Sequence, residues 1–386
     1  MDAPQTDPPH DATSPPDAAL TGRYLVALGR GAVREQLQQL RRMGVPDVAT
    51  SSDYGPSSAG VSAGSPGPAA DRPLLLEHLG VAVLPTAPEP PPRTAAGPPP
   101  TLERERWVWV PEPRLAAEGP ARTWGLQALG DGSGLDGSGI RLAVLDTGVD
   151  LAHPDLARRI AATTSLVPGE DAQDVQGHGT HCAGTACGDP SYGVATGAAL
   201  YAAKVLDRDG RGREADVLAG LEWAVEQGCR VVSMSLSSPG DDGYSQVFEQ
   251  VAAELLDEGV VLVAAAGNES DRPRRVAPVG RPAGCPSVVA VGAVARGLSL
   301  APFSNGGPQL DLVGPGVEVL SAWPGGGRRL LDGTSMATPH VAGVVACLLQ
   351  QTPDAPARDV VARLLGTATP LDGPREGVGV GLVQRP

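Results

Sequence analysis

From about Arg122 to the end of the chain, short continuously apolar runs alternate with segments of helical period, and this pattern constrains the fold more than any other feature. Strands buried on both faces read as unbroken apolar runs, whereas strands with one wet face alternate. The pattern therefore points to an α/β body, a mostly parallel sheet covered by helices on each side. Strands are expected over residues 141–145, 200–205, 231–234, 260–264 and 288–291. Helices are expected over 215–226, 244–258, 335–350 and 357–365, most of them bounded by Gly or Pro.

The first third is different material, since 21 of the 39 prolines fall within residues 1–120. Residues 1–20 read as a disordered tail, and 51–72 and 86–100 as Pro/Gly/Ser/Ala-rich linkers with too little apolar surface to order themselves. Between them, 23–28 reads as a strand, 32–43 as a helix with Val33, Leu37 and Leu40 on one face, and 79–84 as another strand. These pieces make a thin α+β unit over 21–95 that would be marginal alone. A linker over 96–121 and a main domain over 122–386 follow.

At 386 residues the chain is long enough for a sizeable core. No run approaches the roughly 18 uninterrupted apolar residues that a membrane-crossing helix requires. Lys and Arg number 30 against 44 Asp and Glu, a net charge of −14, so the basic footprint of a nucleic-acid or anionic-membrane binder is missing. Neither is expected as a partner. Cys182, Cys187, Cys229, Cys285 and Cys347 are too few and too scattered for a disulfide framework, and buried free thiols are expected. The acidic, proline-rich opening lacks the positive start and apolar core of a secretory signal; a cytoplasmic location is the default, and the compartment is left open.

Three polar residues stand at the ends of apolar runs: Asp146 after Leu-Ala-Val-Leu145, His178 in Gly177-His-Gly-Thr-His-Cys-Ala-Gly184, and Ser335 in Gly333-Thr-Ser-Met-Ala-Thr-Pro-His-Val-Ala-Gly343. Strand ends of α/β sheets are where sites gather. A serine hydroxyl becomes a useful nucleophile when an imidazole accepts its proton, and the imidazole needs a carboxylate to fix its tautomer. Taken singly, Asp146 is more often a turn former or helix cap; the three together reverse that reading. His181, Cys182 and Cys187 also have spacing compatible with zinc, but one turn after His178 they are better read as packing behind it. His153 and His340 are read as structural, and Pro339 as a kink in a buried helix.

The segments Asp146-Thr-Gly-Val-Asp150, Gly177–Gly184, Ala264-Ala-Ala-Gly-Asn268 and Gly333-Thr-Ser-Met-Ala-Thr-Pro-His340 resemble the signature blocks of the subtilisin-like serine proteases. The chain order Asp, His, Ser is also theirs. The resemblance covers residues 123–371 and implies the subtilisin-like three-layer fold. His181-Cys182 and the short connection 188–193 make it more similar to the proteinase K branch.

The resemblance implies a serine endopeptidase acting on polypeptides with no catalytic cofactor. Asp146 is the orienting carboxylate, His178 the general base and acid, and Ser335 the acyl-forming nucleophile. The side chain of Asn268 and the backbone N–H of Ser335 form the oxyanion hole. An idle binding scaffold would show a lost Ser, His or Asp, and none is lost. A bulky reagent on Cys182 would displace His178.

Substrate would add as a strand between residues 210–216 and 235–240, touching Gly212, Glu214, Ser235, Leu236, Ser237, Ala266 and Gly267. The hydroxymethyl groups of Ser237 and Ser238 would narrow the primary pocket. Glu214, with Asp216 nearby, either favours basic side chains or is a solvated loop acid. The resemblance implies a structural calcium held by Asp311 and the carbonyls of Pro286 and Val288, whereas the loop completing a second site near Asp155 is shortened. No disulfide of the proteinase K type is expected, because Cys229 and Cys285 do not align with its cysteines. The front unit resembles the family's intramolecular inhibitor, with maturation expected between about 110 and 123, ahead of Trp124, and the product is expected to be a monomer.

Overall fold

The computed structural model describes residues 20–54, 72–89, 100–110, 123–132, 134–240 and 243–386. The expected tail over 1–19, most of both low-complexity stretches and the maturation region from 111 to 122 lie outside the described residues.

The N-terminal unit contains β1 (Leu20–Ala27), α1 (Val33–Arg42), β2 (Ala49–Thr50), β3 (Leu74–Leu76), β4 (Val81–Leu84) and β5 (Thr101–Trp109). Alternation along its strands sorts two faces. Val26, Leu75, Ala82 and Leu84 pack with Leu40 and Met43 around α1. Their neighbours Leu25, Ala27, Leu74, Leu76, Val81 and Val83 join the core of the main domain. A unit too thin to bury two faces on its own thus completes its core by docking.

The main domain runs α2 (Trp124–Ala128), β6 (Arg141–Asp146), β7 (Ile160–Ser165), α3 (His178–Cys187), β8 (Ala199–Lys204), β9 (Arg211–Arg213), α4 (Glu214–Glu226), β10 (Val231–Met234), α5 (Gln246–Asp257), β11 (Val261–Ala265) and β12 (Val289–Val294). It ends with β13 (Leu312–Pro315), β14 (Val319–Trp323), β15 (Gly327–Leu331), α6 (Thr334–Gln351), α7 (Ala357–Gly366) and α8 (Arg375–Val378). Seven parallel strands lie in the order β13-β12-β11-β10-β6-β8-β7. On β6, Ala143 and Leu145 face the core shared with α4 and α5, while Leu142 and Val144 face that of α3 and α6. This is the three-layer α/β architecture expected. The five expected strands start and end within one residue of prediction, except β12, which runs three residues further.

One boundary is corrected. The linker expected over 96–121 contains β5, which pairs antiparallel with β1 on one side and with β9 of the main domain on the other. The sequence Thr-Leu-Glu-Arg-Glu-Arg-Trp-Val-Trp hides a strand because its acids point inward: Glu105 is fully buried while Leu102 is exposed. Six strands, β2-β3-β4-β1-β5-β9, therefore form a sheet that crosses between the two units.

Candidate active site

Three element ends bring Asp146, His178 and Ser335 together. Asp146 closes β6, His178 opens α3 and Ser335 lies in the first turn of α6, and all three are buried. His178 Nδ1 lies 2.8 Å from Asp146 Oδ1 and 3.0 Å from Oδ2, while the Thr147 backbone N–H donates to Oδ1 at 2.7 Å. Burial works against a charged imidazole, but the Asp146 carboxylate outweighs it and holds the His178 pKa well above its ordinary value. His178 Nε2 is buried with no hydrogen-bond partner among the described residues. Ser335 Oγ instead donates to the Ser235 carbonyl at 3.2 Å, and Ser235 Oγ donates back to the Ser335 carbonyl at 2.8 Å. The Asp–His link is made, and the nucleophile is turned away from the base.

Cys182 sits behind this pair, its Sγ 3.7 Å from His178 Nδ1 and 3.5 Å from the Ser335 carbonyl. Asp146, His178 and Cys182 form a cluster with metal-ligand spacing, but two of its groups are occupied by the Asp–His contact, and burial keeps the thiol pKa raised. His181 turns inward to the Val319 carbonyl at 2.9 Å and burial lowers its pKa to about 3. It is packing, as are His153 on the Gly327 carbonyl and His340 on that of Met336. All five cysteines are buried and free.

Asn268 is oriented by α6. Its Oδ1 accepts from Thr334 N–H and Oγ1, both at 2.9 Å, which turns Nδ2 toward the side-chain-free space at Gly333. Thr334 Oγ1 also receives the Gly267 N–H at 3.1 Å. The Ser335 N–H belongs to the first turn of α6, where helical amides lack partners and carry positive partial charge.

β5 lies between the two segments expected to take substrate. Val108 pairs with Gly212 and Trp107 with Arg213, Trp109 bridges Ser237, and the Val110 N–H donates to the Gly210 carbonyl at 3.0 Å. Leu236 packs in the same buried cluster as Val108. Around Gly280, the position of a would-be Cβ is 3.3 Å from Ser237 Cβ, 2.8 Å from the Ser238 carbonyl and 3.5 Å from that of Ala266. Ser237 and Ser238 thus pack against Gly280, where an added side chain would meet the Ser238 carbonyl.

Two expectations about acids change. Asp216 is unavailable to a basic side chain, because Arg213 takes both its oxygens at 2.7 Å. Glu214 is no solvated loop acid: it is buried, accepts the Arg106 N–H at 2.9 Å, and has its pKa raised to about 7 by burial with Glu105 and Glu103 nearby. Sequence reading also missed two contacts across the units. Glu105 binds Arg23 at 2.6 and 2.5 Å and accepts the Ala215 N–H at the start of α4. Glu103 accepts Ser245 Oγ at 2.6 Å and the Gln246 N–H at 2.7 Å at the start of α5. Acids two apart ahead of an apolar pair were the available signal.

Asp311 is half-buried ahead of β13, and its Oδ2 accepts the Ala290 N–H at 2.9 Å, two residues beyond Val288. Burial raises its pKa to about 6, opposed by the Ala290 N–H and the charge of Arg375. A half-buried carboxylate beside the 286–288 turn is of the hard-oxygen type that suits a calcium ion. Asp155 is otherwise engaged, by Tyr192 Oη at 2.6 Å and Arg328 at 3.1 Å.

Residues 137–381 match the model of the subtilase family of peptidases. Subtilisin from Bacillus pumilus is 43% identical over 244 residues, 62% of this chain and 86% of that protein. Subtilisin BL from Lederbergia lenta is 44% identical over 255 residues, 65% of this chain and 90% of that protein. A cold adapted subtilisin-like serine proteinase of known crystal structure superposes with a TM-score of 0.63 at 32% identity, over 69% of this chain and 99% of that one. These matches do not single out the proteinase K branch, which rests on His181-Cys182 and the short 188–193 connection alone. The family match, spanning well over half of the chain, agrees with the parallel sheet and the Asp–His–Ser convergence: this protein belongs to the subtilase family of serine proteases.

Proposed function

We propose that the protein is an endopeptidase whose acyl-enzyme forms on Ser335, with His178 as base and acid and Asp146 orienting it. The contact of 2.8 Å between His178 Nδ1 and Asp146 carries this reading. It leaves Nε2 as the nitrogen available to take the serine proton, and Ser335 reaches it by a side-chain rotation off the Ser235 carbonyl. Asn268 Nδ2 and the Ser335 N–H then face the oxygen of the scissile carbonyl as it gains charge. After the amine leaves, water repeats the sequence on the ester.

The N-terminal unit is an intramolecular inhibitor that the enzyme removes from itself. This is supported by β5 filling both rails of the groove and by Glu103 and Glu105 meeting the starts of α5 and α4, where carboxylates are favoured. The groove takes an extended chain with an apolar side chain in the place of Val108, which argues against a preference for basic residues there. A calcium ion held by Asp311 with the Pro286 and Val288 carbonyls would offset the rise that burial gives this carboxyl's pKa. The mature enzyme is taken to be a monomer.

The test is hydrolysis of a peptide amide by wild type and Ser335→Ala. The reading requires loss of turnover in the variant with its fold unchanged; equal turnover would refute it.

A further inference from the structure

The helix that carries His178 begins without a cap of its own. Its N-cap is Gly177, in the left-handed region at φ 106°, and a Cβ there would lie 2.4 Å from the Trp323 ring. No side chain fits, so the first three amides of α3 need acceptors from elsewhere. The His178 N–H reaches Gln176 Oε1 at 2.8 Å, the Gly179 N–H reaches Thr147 Oγ1 at 2.9 Å, and the Thr180 N–H reaches Asp174 Oδ2 at 2.8 Å.

Asp174 gathers these threads. It is 1% exposed and accepts five hydrogen bonds: from Thr147 Oγ1 (3.0 Å), Gln176 N–H (3.0 Å), Gly177 N–H (2.8 Å), Thr180 N–H (2.8 Å) and Thr180 Oγ1 (2.6 Å). Thr147 is the other anchor, because its backbone N–H holds the Asp146 carboxylate while its hydroxyl holds both Asp174 and α3. The two ends of the Asp146–His178 bond are thus tied to one buried carboxylate through a single hydroxyl.

We propose that Asp174 and Thr147 are positioning residues for the catalytic pair, acting as a remote cap that fixes the start of α3, and with it the His178 ring, relative to Asp146. Neither touches the reacting atoms. This rests on the protease reading above, and it predicts loss of turnover more than of substrate binding, because the binding groove lies on other elements. A displacement on the order of 1 Å at a reacting group costs about 10²-fold in rate.

The experiment compares full-length wild type, Thr147→Val, Thr147→Ser and Ser335→Ala on one peptide amide, with the first three rates normalised to sites titratable by a fluorophosphonate, that of Ser335→Ala to protein concentration, and thermal midpoints measured alongside. Thr147→Val is expected to lower kcat roughly 10–100-fold with KM within about twofold. Thr147→Ser, which keeps the hydroxyl, is expected to return kcat to near wild type. Unchanged kcat in Thr147→Val, or equal losses in the Val and Ser variants, overturns the proposal. If Thr147→Val does not fold, Thr147→Ala removes the same hydroxyl without setting a methyl against Asp174 and is judged by the same criteria. Activity surviving in Ser335→Ala would instead strike at the nucleophile assignment, so the two failures are distinguishable.

Discussion

Trp109 and Ser237 exchange both of their backbone hydrogen bonds, at 3.1 and 3.2 Å, so the last described residues of the N-terminal unit pair with the main domain beside Ser235 and Leu236. One residue on, Val110 takes the Gly210 carbonyl of the opposite rail. While β5 remains in place, these backbone groups are not free to pair with another strand.

Docking should depend on Glu105 more than on Glu103. Removing Glu103 forfeits interactions at the start of α5, worth roughly 1 kcal/mol as for a helix cap. Removing Glu105 also strands Arg23, whose side chain is 8% exposed, and breaking a buried pair from one side costs roughly 3–5 kcal/mol. In a Ser335→Ala background, amide exchange along β5 should accelerate slightly in Glu103→Ala and strongly in Glu105→Ala. Equal protection in all three proteins would contradict the interface.

Docking should also weaken as pH rises. Glu214 is raised from its ordinary 4.5 to about 7 by burial, by Glu105 and by Glu103, against the Arg106 N–H and Arg281. Once β5 leaves, that burial and the two acids leave with it, so the docked state holds the proton more tightly. A group with a raised docked pKa gives its full contribution below about 4.5 and loses it as pH climbs through about 7. Cleavage of the β5 connection by an added protease should be faster at pH 8 than at pH 5.5 in Ser335→Ala, and Glu214→Gln should flatten the difference. Slower cleavage at pH 8 would reverse the sign and defeat this account.

Asn268→Ala should cut kcat with little change in KM, since its amide acts on charge that develops during reaction. The expected loss is roughly 10²–10³-fold, the size of effect that loss of one such donor has in a subtilisin rather than one calculated from this geometry. A change confined to KM would place Asn268 outside the oxyanion hole.

Calcium should stabilise the fold more at pH 7.5 than at pH 5. The Asp311 carboxyl, raised by burial from 3.8 to about 6, favours the folded state at low pH and disfavours it as pH rises through about 6. The ion needs the ionised form and competes with the proton. Thermal midpoints with calcium and with chelator should separate at pH 7.5, converge at pH 5, and coincide at both in Asp311→Asn. A separation that persists in Asp311→Asn would locate the ion elsewhere.

The main domain was legible because its strands are buried on both faces, and runs such as Val231–Met234 have no other reading. Asp146, His178 and Ser335 were legible as a group because they stand in three of four short blocks, with Asn268 in the fourth. What escaped the sequence depends on partners distant along the chain. Thr101–Trp109 is a strand only because Glu103 and Glu105 find helix starts roughly 110 to 140 residues away, which makes inward acids favourable. Glu214 reads from the sequence either as a selector of basic side chains or as a solvated loop acid, and the Arg106 N–H that covers it comes from far along the chain. Asp155 keeps its polar company through Tyr192 and Arg328, a pairing that no local pattern announces. Asp174 drew no expectation from the sequence, because five donors converge on it only in the fold.

The most direct measurement is the intact mass of purified wild type beside Ser335→Ala, each with and without a fluorophosphonate probe. The account predicts that wild type loses its first ~110–122 residues, as expected from maturation ahead of Trp124, and gains one adduct, while Ser335→Ala stays full length and unlabelled. Labelled but unclipped wild type would remove the self-processing claim. A folded wild type that is neither labelled nor clipped, or a Ser335→Ala protein that is labelled, would contradict the assignment of Ser335 itself.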